Sequence, residues 1–122
     1  MRVIVTGSRA WPDETAVYDA LWGVYNERGA FQLIHGDCST GADAWASMWY
    51  RIVGSKLGCT EMKHPAAWAA RGRAAGPERN KRMIGAGADL VLAFPLPEGS
   101  GTQHTMWLAR EAGIEVKEHK HA

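Results

Sequence analysis

Short apolar segments alternate along the chain with longer segments of helical periodicity, and this alternation limits the folds that the sequence can adopt. The apolar segments are rich in Val, Ile and Leu, which is typical of buried strands. They cover residues 2–6, 31–35, 59–64, 89–94 and 114–117. Between the first two, Val17, Leu21 and Val24 share one helical face. Because right-handed crossovers lay each helix back on the sheet, the order predicts an α/β fold, a three-layer Rossmann-like parallel sheet of about five strands with helices on both faces.

Length and charge favour one domain without a general affinity for polyanions. The chain has 122 residues and a formal net charge of +1, so an anion site has to be local. We expect a single domain over residues 1–118 with a polar tail over residues 119–122, and we expect the chain to be frayed from Lys117 to Ala122. Two cysteines and the lack of a long apolar run favour a reduced, cytoplasmic setting without a membrane span.

Helix ends carry local signals of capping. Asp13 is expected as an acidic first-turn or N-cap residue, residues 40–43 have the spacing of a capping box, and Pro77, with Glu78 beside it, is expected at the first position of a helix. Glycines in the left-handed conformation often follow the last turn of a helix. The glycines expected in this role are Gly29, Gly54, Gly85 or Gly87, and Gly113.

Chemically distinctive residues lie in the loops that follow strands, whereas the loops that follow helices are short and bland. In a parallel sheet all strand-to-helix loops meet at one edge, where open α/β sheets bind ligands. We therefore expect one ligand site at this edge. Its predicted residues are Gly7, Ser8, Arg9, Trp11, Gly36, Asp37, Gly41, Asp43, Trp68, Arg79, Asn80, Pro95, Gly99, Ser100, Gly101 and Thr102.

The small residues Gly99 to Thr102, between the fourth strand and the last helix, favour a phosphate. Such residues let an anion approach the free N–H groups at a helix start. Arg9 and Arg79 can neutralise it, and Trp68 can stack on a base. Each feature also has a plainer explanation: a flexible turn, solvated surface charges, or a tryptophan that packs its own loop.

Several other kinds of site are not supported by the sequence. A P-loop is missing, since Gly54-Ser55-Lys56 follows a helical segment, and the full Gly-x-Gly-x-x-Gly fingerprint is missing as well. Asp37 could still meet a ribose hydroxyl, as the acidic residue of dinucleotide-binding folds does. We predict no cofactor and no metal site.

Six tryptophans are many for a chain of this length. Trp45, Trp49 and the nearby Met48 lie on one helix, and an apolar face beyond the core is a common self-association surface. Plain core packing explains the same pattern. We expect a homo-oligomer, a dimer or larger, that takes a small nucleotide-type ligand.

Four loop motifs together resemble the SLOG superfamily, and most closely its YspA-related branch. The resemblance spans nearly the whole chain. It is carried by Val5-Thr6-Gly7-Ser8-Arg9-x-Trp11, His35-Gly36 with Gly41-Ala42-Asp43, Ala75-Gly76-Pro77-x-Arg79-Asn80-x-x-Met83, and Ala93-Phe94-Pro95 with Gly99-Ser100-Gly101-Thr102. It implies a Rossmann-like fold that binds nucleotides or nucleotide-derived signals, usually as a homo-oligomer.

The resemblance does not by itself imply catalysis. The related LOG enzymes hydrolyse nucleoside 5′-monophosphates with an arginine and a glutamate. Arg79 stands at the arginine position and would be catalytic if the protein is an enzyme, whereas Thr105 stands at the glutamate position. A threonine cannot replace a carboxylate that stabilises an oxocarbenium-like centre. Asp37 or Asp43 could do so only if the fold brings one of them to the sugar.

Three functions remain open from the sequence. The first is a non-catalytic or weakly catalytic module that binds a nucleotide-derived phosphate ligand. The second is a LOG-like N-glycosidase. The third is single-strand DNA binding of the DprA type, which the near-neutral charge disfavours but which a basic cluster keeps open. That cluster is Arg71, Arg73, Arg79, Lys81 and Arg82.

Overall fold

The computed structural model describes residues 1–98 and 100–121. Five parallel strands form one sheet in the order β3-β2-β1-β4-β5. The predicted α/β fold with a five-stranded parallel sheet is confirmed. The strands are β1 (Arg2–Gly7), β2 (Gln32–His35), β3 (Thr60–Lys63), β4 (Leu90–Phe94) and β5 (Glu115–Glu118).

Helices cover both faces of the sheet. Successive side chains of a strand point to opposite faces, so Val3 and Val5 of β1 join one core while Ile4 joins the other. Helices α1 and α2 pack in the first core, and α4 and α5 pack in the second. The helices are α1 (Glu14–Arg28), α2 (Ala42–Ile52), α3 (Trp68–Arg71), α4 (Ala75–Gly85) and α5 (Ser100–Glu111), with 3-10 turns at Gly54–Leu57 and Gly72–Ala74.

The strand order reverses direction between β1 and β4. The first crossovers build the sheet from β1 outward to β3, and the next returns to the other side of β1. The loops after β1 and β4 therefore diverge to opposite faces, which leaves a crevice between them at the carboxyl edge. This crevice is where the predicted ligand loops meet.

The helix boundaries agree with the sequence signals only in part. The Asp13 side chain accepts a hydrogen bond from the backbone N–H of Ala16 at 3.1 Å, so the predicted N-cap is confirmed. The predicted capping box is wrong, since α2 is preceded by Gly41 without a side-chain cap. The expectation that Pro77 opens a helix is wrong by two residues, since α4 begins at Ala75. Gly54 opens a 3-10 turn, and Val53 occupies the position after α2.

The expectation that the chain is frayed from Lys117 is wrong for residues 117–119, since β5 extends to Glu118 and His119 continues its pairing with β4. The backbone N–H of His119 donates to the carbonyl of Ala93 at 2.8 Å. The ring of His119 stacks on Phe94 with centroids 4.7 Å apart, and His121 lies 5.4 Å from the ring of Trp11. His119 and His121 thus contact aromatic rings, which the polar composition of the tail does not indicate. Ala122 lies outside the described residues.

Most tryptophan rings are used inside the molecule. Trp49 is buried and stacks on Phe31, while Trp45 is half-buried and donates from Nε1 to the carbonyl of Trp11. Trp49 is therefore core, and the exposed rings are Trp68 and Trp107. The oligomeric state stays a prediction. Among the helices that the structure describes, none is long and apolar enough to span a membrane.

Gly7→Ala should destabilise the fold, because a Cβ at this position would lie 2.5 Å from Cβ of Ala42 and 3.0 Å from the carbonyl oxygen of Phe94. Overpacking of this kind costs about 1–3 kcal/mol in the free energy of unfolding. Gly23→Ala is the matched control, since nothing lies near its added Cβ and alanine favours the helix by about 0.5–1 kcal/mol. Urea unfolding of both variants measures the difference. A Gly7→Ala protein as stable as the wild type would contradict the close contact.

Candidate functional site

A cleft of about 560 Å³ opens at the carboxyl edge of the sheet. It lies at the reversal of strand order, between the loops that follow β1, β2, β3 and β4. The structure brings eleven of the predicted site residues to its lining, namely Gly7, Ser8, Arg9, Gly36, Asp43, Trp68, Arg79, Asn80, Ser100, Gly101 and Thr102. Its size is within the usual range of small-molecule sites.

The remaining predicted residues lie outside this lining. Trp11 is a core residue, 2 % exposed, and Pro95, which directly follows β4, is also buried. Asp37 and Gly41 line a neighbouring hollow of about 600 Å³ between the β1 loop and α2, as Trp11 also does. Gly99 lies outside the described residues. The prediction that all of these residues share the cleft is thus wrong for Trp11, Asp37, Gly41 and Pro95.

The loop after β1 is a tight turn that is fixed on both sides. The backbone N–H of Ser8 donates to the carbonyl of Phe94 at 3.1 Å, and Trp11 N–H donates back to the carbonyl of Ser8. Gly41 has a φ of +77°, and a Cβ there would collide with the carbonyl of Ser8. Only glycine fits this left-handed residue against the turn. The start of α2 therefore holds the β1 loop in place.

The loop after β2 is held by buried polar groups. The backbone N–H of Asp37 donates to Nδ1 of His35 at 3.0 Å, so the ring proton resides on Nε2, which lies 2.7 Å from the Glu61 carboxylate. Asp37 adopts a φ of 58°, and its side chain pairs with Lys63 at 3.7 Å. This left-handed conformation turns Asp37 away from the cleft, which sequence spacing could not reveal.

Asp43 is the carboxylate that lines the cleft. It is 5 % exposed, and its Oδ2 accepts the backbone N–H groups of Gly36 at 3.1 Å and Cys38 at 3.4 Å. Burial raises the pKa of the carboxyl above its ordinary value, and the opposing effects of His35, Cys38 and Arg79 are smaller. Burial also raises the pKa of the Cys38 thiol beside it, so this cysteine is a poor nucleophile.

Arg79 joins the ends of two strands to α4. Its Nη1 donates to the carbonyl of Gly36 at 2.8 Å and to that of His64 at 3.5 Å, while Nε donates to Oδ1 of Asn80 at 2.9 Å. Within residues 1–98 and 100–121, Nη2 makes no hydrogen bond. Arg79 is therefore ordered by the loops and the helix that it joins.

Asn80 links α4 to α5. Its side chain is buried, and Nδ2 lies 3.4 Å from the carbonyl of Gly101 and 3.3 Å from Nδ1 of His104. The amide thus fixes the first turn of α5 against the cleft. The free backbone N–H groups of that turn, with about half a positive charge, lie at the same wall.

Arg9 and Trp68 lie at the mouth of the cleft. The guanidinium carbon of Arg9 is 5.0 Å from the centroid of the Trp68 ring, a contact of about 0.5–1 kcal/mol at an exposed site. Trp68 also covers Gly76, where a Cβ would meet the ring at 3.1 Å. Arg73 is a further cation of the lining. The described lining residues thus include three arginines and one carboxyl group.

Comparison with known proteins identifies the family. The model of the YspA, cpYpsA-related SLOG family matches residues 1–70. The Gene 61 protein of Mycobacterium phage D29 is 41 % identical over 117 residues, which are 94 % of this chain and 93 % of the relative. The chain belongs to the YspA, cpYpsA-related SLOG family. The predicted resemblance is confirmed, and SLOG membership indicates a role related to nucleotide-type ligands.

The fold also shows what stands at the glutamate position of the LOG enzymes in this SLOG protein. Thr105 is fully buried, and its hydroxyl donates to the carbonyl of Gly101 at 3.2 Å. This hydrogen bond turns the side chain back onto its own helix. Thr105 is not among the described residues that line the cleft.

The sequence reasoning left several lining residues out of its site. Met83 follows Arg79 by four residues, about one helical turn, so it could have been placed from periodicity, and the SLOG motif contains it with Gly76 and Pro77. Arg73 belongs to the basic cluster of the sequence, but nothing there placed its side chain in the cleft, and His104 carried no signal. The missed lining residues are Val5, Thr6, Cys38, Arg73, Gly76, Pro77, Met83 and His104.

Asp43→Asn should gain stability over the wild type as the pH rises. The pKa of the folded carboxyl is raised above 3.8 by burial, so the folded state binds more protons than the unfolded state and the wild type loses stability with increasing pH through that window. Asparagine has no such titration. Thermal unfolding of both proteins between pH 4 and pH 8 tests this. A difference in Tm that stays constant or reverses would show that burial does not oppose ionisation of Asp43.

Proposed function

We propose that the cleft binds a nucleotide or nucleotide-derived ligand by its phosphate, without efficient turnover. The phosphate lies at the first turn of α5 and the Gly7-Ser8 turn, between the guanidinium groups of Arg9 and Arg79. The observation that carries the proposal is the excess of positive charge in the cleft: three arginines and a helix N-terminus around one carboxyl group. The whole chain has a net charge of only +1, so this charge is local.

The contacts of the arginines support the same assignment. Arg79 is oriented by backbone carbonyls of the β2 and β3 loops, and a guanidinium group held in this way can bind phosphate with little loss of side-chain entropy. Arg9 has an aromatic neighbour and no recorded carboxylate partner among the described residues. The flat ring of Trp68, 46 % exposed, is suited to contact a base at the mouth of the cleft.

The N-glycosidase hypothesis has less support. Glycosidic hydrolysis by a LOG-like mechanism needs a carboxylate at the sugar, and the residue at that position is a threonine that bonds to its own helix. Asp43 is the one carboxyl group among the described lining residues, and it holds the β2 loop. We therefore expect AMP, CMP and GMP to bind without release of free base.

Single-strand DNA binding is also less well supported, because the basic cluster of α3 and α4 is not a continuous groove. Arg71 pairs with Glu78 at 3.6 Å, and Arg82 donates to the carbonyl of Pro65 at 3.0 Å. Arg79 and Arg73 face the cleft. A DNA-binding groove instead needs cations along the path of the backbone.

Arg9→Ala should weaken binding of nucleoside 5′-monophosphates about tenfold, because a hydrogen bond to a charged group contributes about 1.5–3 kcal/mol. Titration calorimetry with AMP and GMP measures the dissociation constants, and thermal shifts at millimolar ligand provide a second readout. Arg28→Ala is the matched control. Arg28 ends α1 at the opposite edge of the sheet and pairs with Glu115, so its removal should not change ligand affinity. Equal losses in both variants would contradict the assignment, and failure of every nucleotide to bind would reject the proposed function.

A further inference from the structure

We infer that Asp43 makes the cleft selective for ligands that carry ribose hydroxyl groups, and that Asp37, in the β2 loop, does not contact them. The inference rests on the proposed function, since it concerns the sugar of the nucleotide whose phosphate binds at α5. The starting observation is the position of the Asp43 side chain, which neither helix capping nor phosphate binding explains. Asp43 belongs to the first turn of α2, yet its carboxylate caps no N–H group of that helix.

One oxygen of the carboxylate receives no backbone hydrogen bond. Both backbone N–H groups donate to Oδ2, and Oδ1 receives no N–H from any residue that the structure describes. The Cys38 thiol, a weak donor, also hydrogen-bonds the carboxyl group, and the charges of His35 and Arg79 act on it. The carboxyl group is buried and lines the cleft, so a ligand hydroxyl group in the cleft could give it a stronger hydrogen bond than the thiol does.

The position of Asp43 relative to the phosphate site fits a sugar. The β4, β1 and β2 strands are neighbours in the sheet, and strands lie about 4.8 Å apart. The phosphate site lies above the ends of β4 and β1, and Asp43 lies against Gly36 at the end of β2. A ribose attached to that phosphate would extend across one strand spacing and present its hydroxyl groups to Oδ1.

The charge of the surroundings agrees with a hydroxyl partner. The side chains of Arg79 and Asp43 both lie against the backbone of Gly36. They are therefore close to each other, but they do not form an ion pair. Hydroxyl groups can donate to an ionised carboxyl or accept from a protonated one, so the recognition does not depend on its protonation state.

Asp37, the acidic residue that sequence position favours for this contact, is the natural comparison. Its carboxylate is exposed, pairs with Lys63 and faces the neighbouring hollow. The two aspartates therefore offer the same chemical group inside and outside the cleft.

The test compares AMP with 2′,3′-dideoxyadenosine 5′-monophosphate, and GMP with its dideoxy counterpart, by titration calorimetry on the full chain. We expect the ribonucleotides to bind the wild type about tenfold more tightly, as for the loss of a hydrogen bond to a buried polar group. Asp43→Ala should reduce this ratio to near one, and Asp37→Ala should leave it unchanged. Circular dichroism verifies that each variant is folded.

The outcomes separate the inference from the proposed function. Equal affinity of the wild type for both members of each pair overturns the inference while the proposed function stands, whether or not Asp43→Ala folds. A preference for ribose that disappears in Asp37→Ala and persists in Asp43→Ala also overturns it. Absence of binding by all four nucleotides rejects the proposed function itself.

Discussion

The pairing of β1 with β4 determines where this protein can bind a ligand. Five residue pairs from Val3 with Leu90 to Gly7 with Phe94 join these strands, and the Ser8 N–H extends the ladder by one hydrogen bond to Phe94. The chain leaves the two strands toward opposite faces, so among the described helices none fills the space above their ends. A cleft with free backbone donors follows from this topology before any functional side chain is considered.

Polar contacts between distant loops then give the cleft its shape. The carboxylate of Asp43 binds the turn after β2, and Arg79 binds carbonyls after β2 and β3. Each side chain gives the loop backbone a hydrogen bond that it would otherwise form with water. The same groups that complete the fold therefore also form the walls of the site.

The strand pattern and the edge of the sheet that carries the site could be predicted from the sequence, because both depend on local periodicity and on a general property of parallel sheets. The direction of individual side chains could not. The capping-box spacing of residues 40–43 suggested a local role for Asp43, whereas its partners, Gly36 and Cys38, belong to another turn. Asp37 is turned outward by its left-handed backbone conformation. The pattern of residue types does not predict this conformation. The packing of His119 on Phe94 likewise depends on a contact between the last strand and its neighbour.

The guanidinium group of Arg79, anchored to two strand ends and to Asn80, has a thermodynamic consequence for recognition. Its rotamer is selected when the chain folds, so the entropic penalty of immobilising a long cationic side chain falls on folding and not on association. For the phosphate ligand that we propose, affinity is thereby coupled to local order, and a perturbation that loosens the β2 and β3 turns should weaken its binding even when every contacting atom is retained.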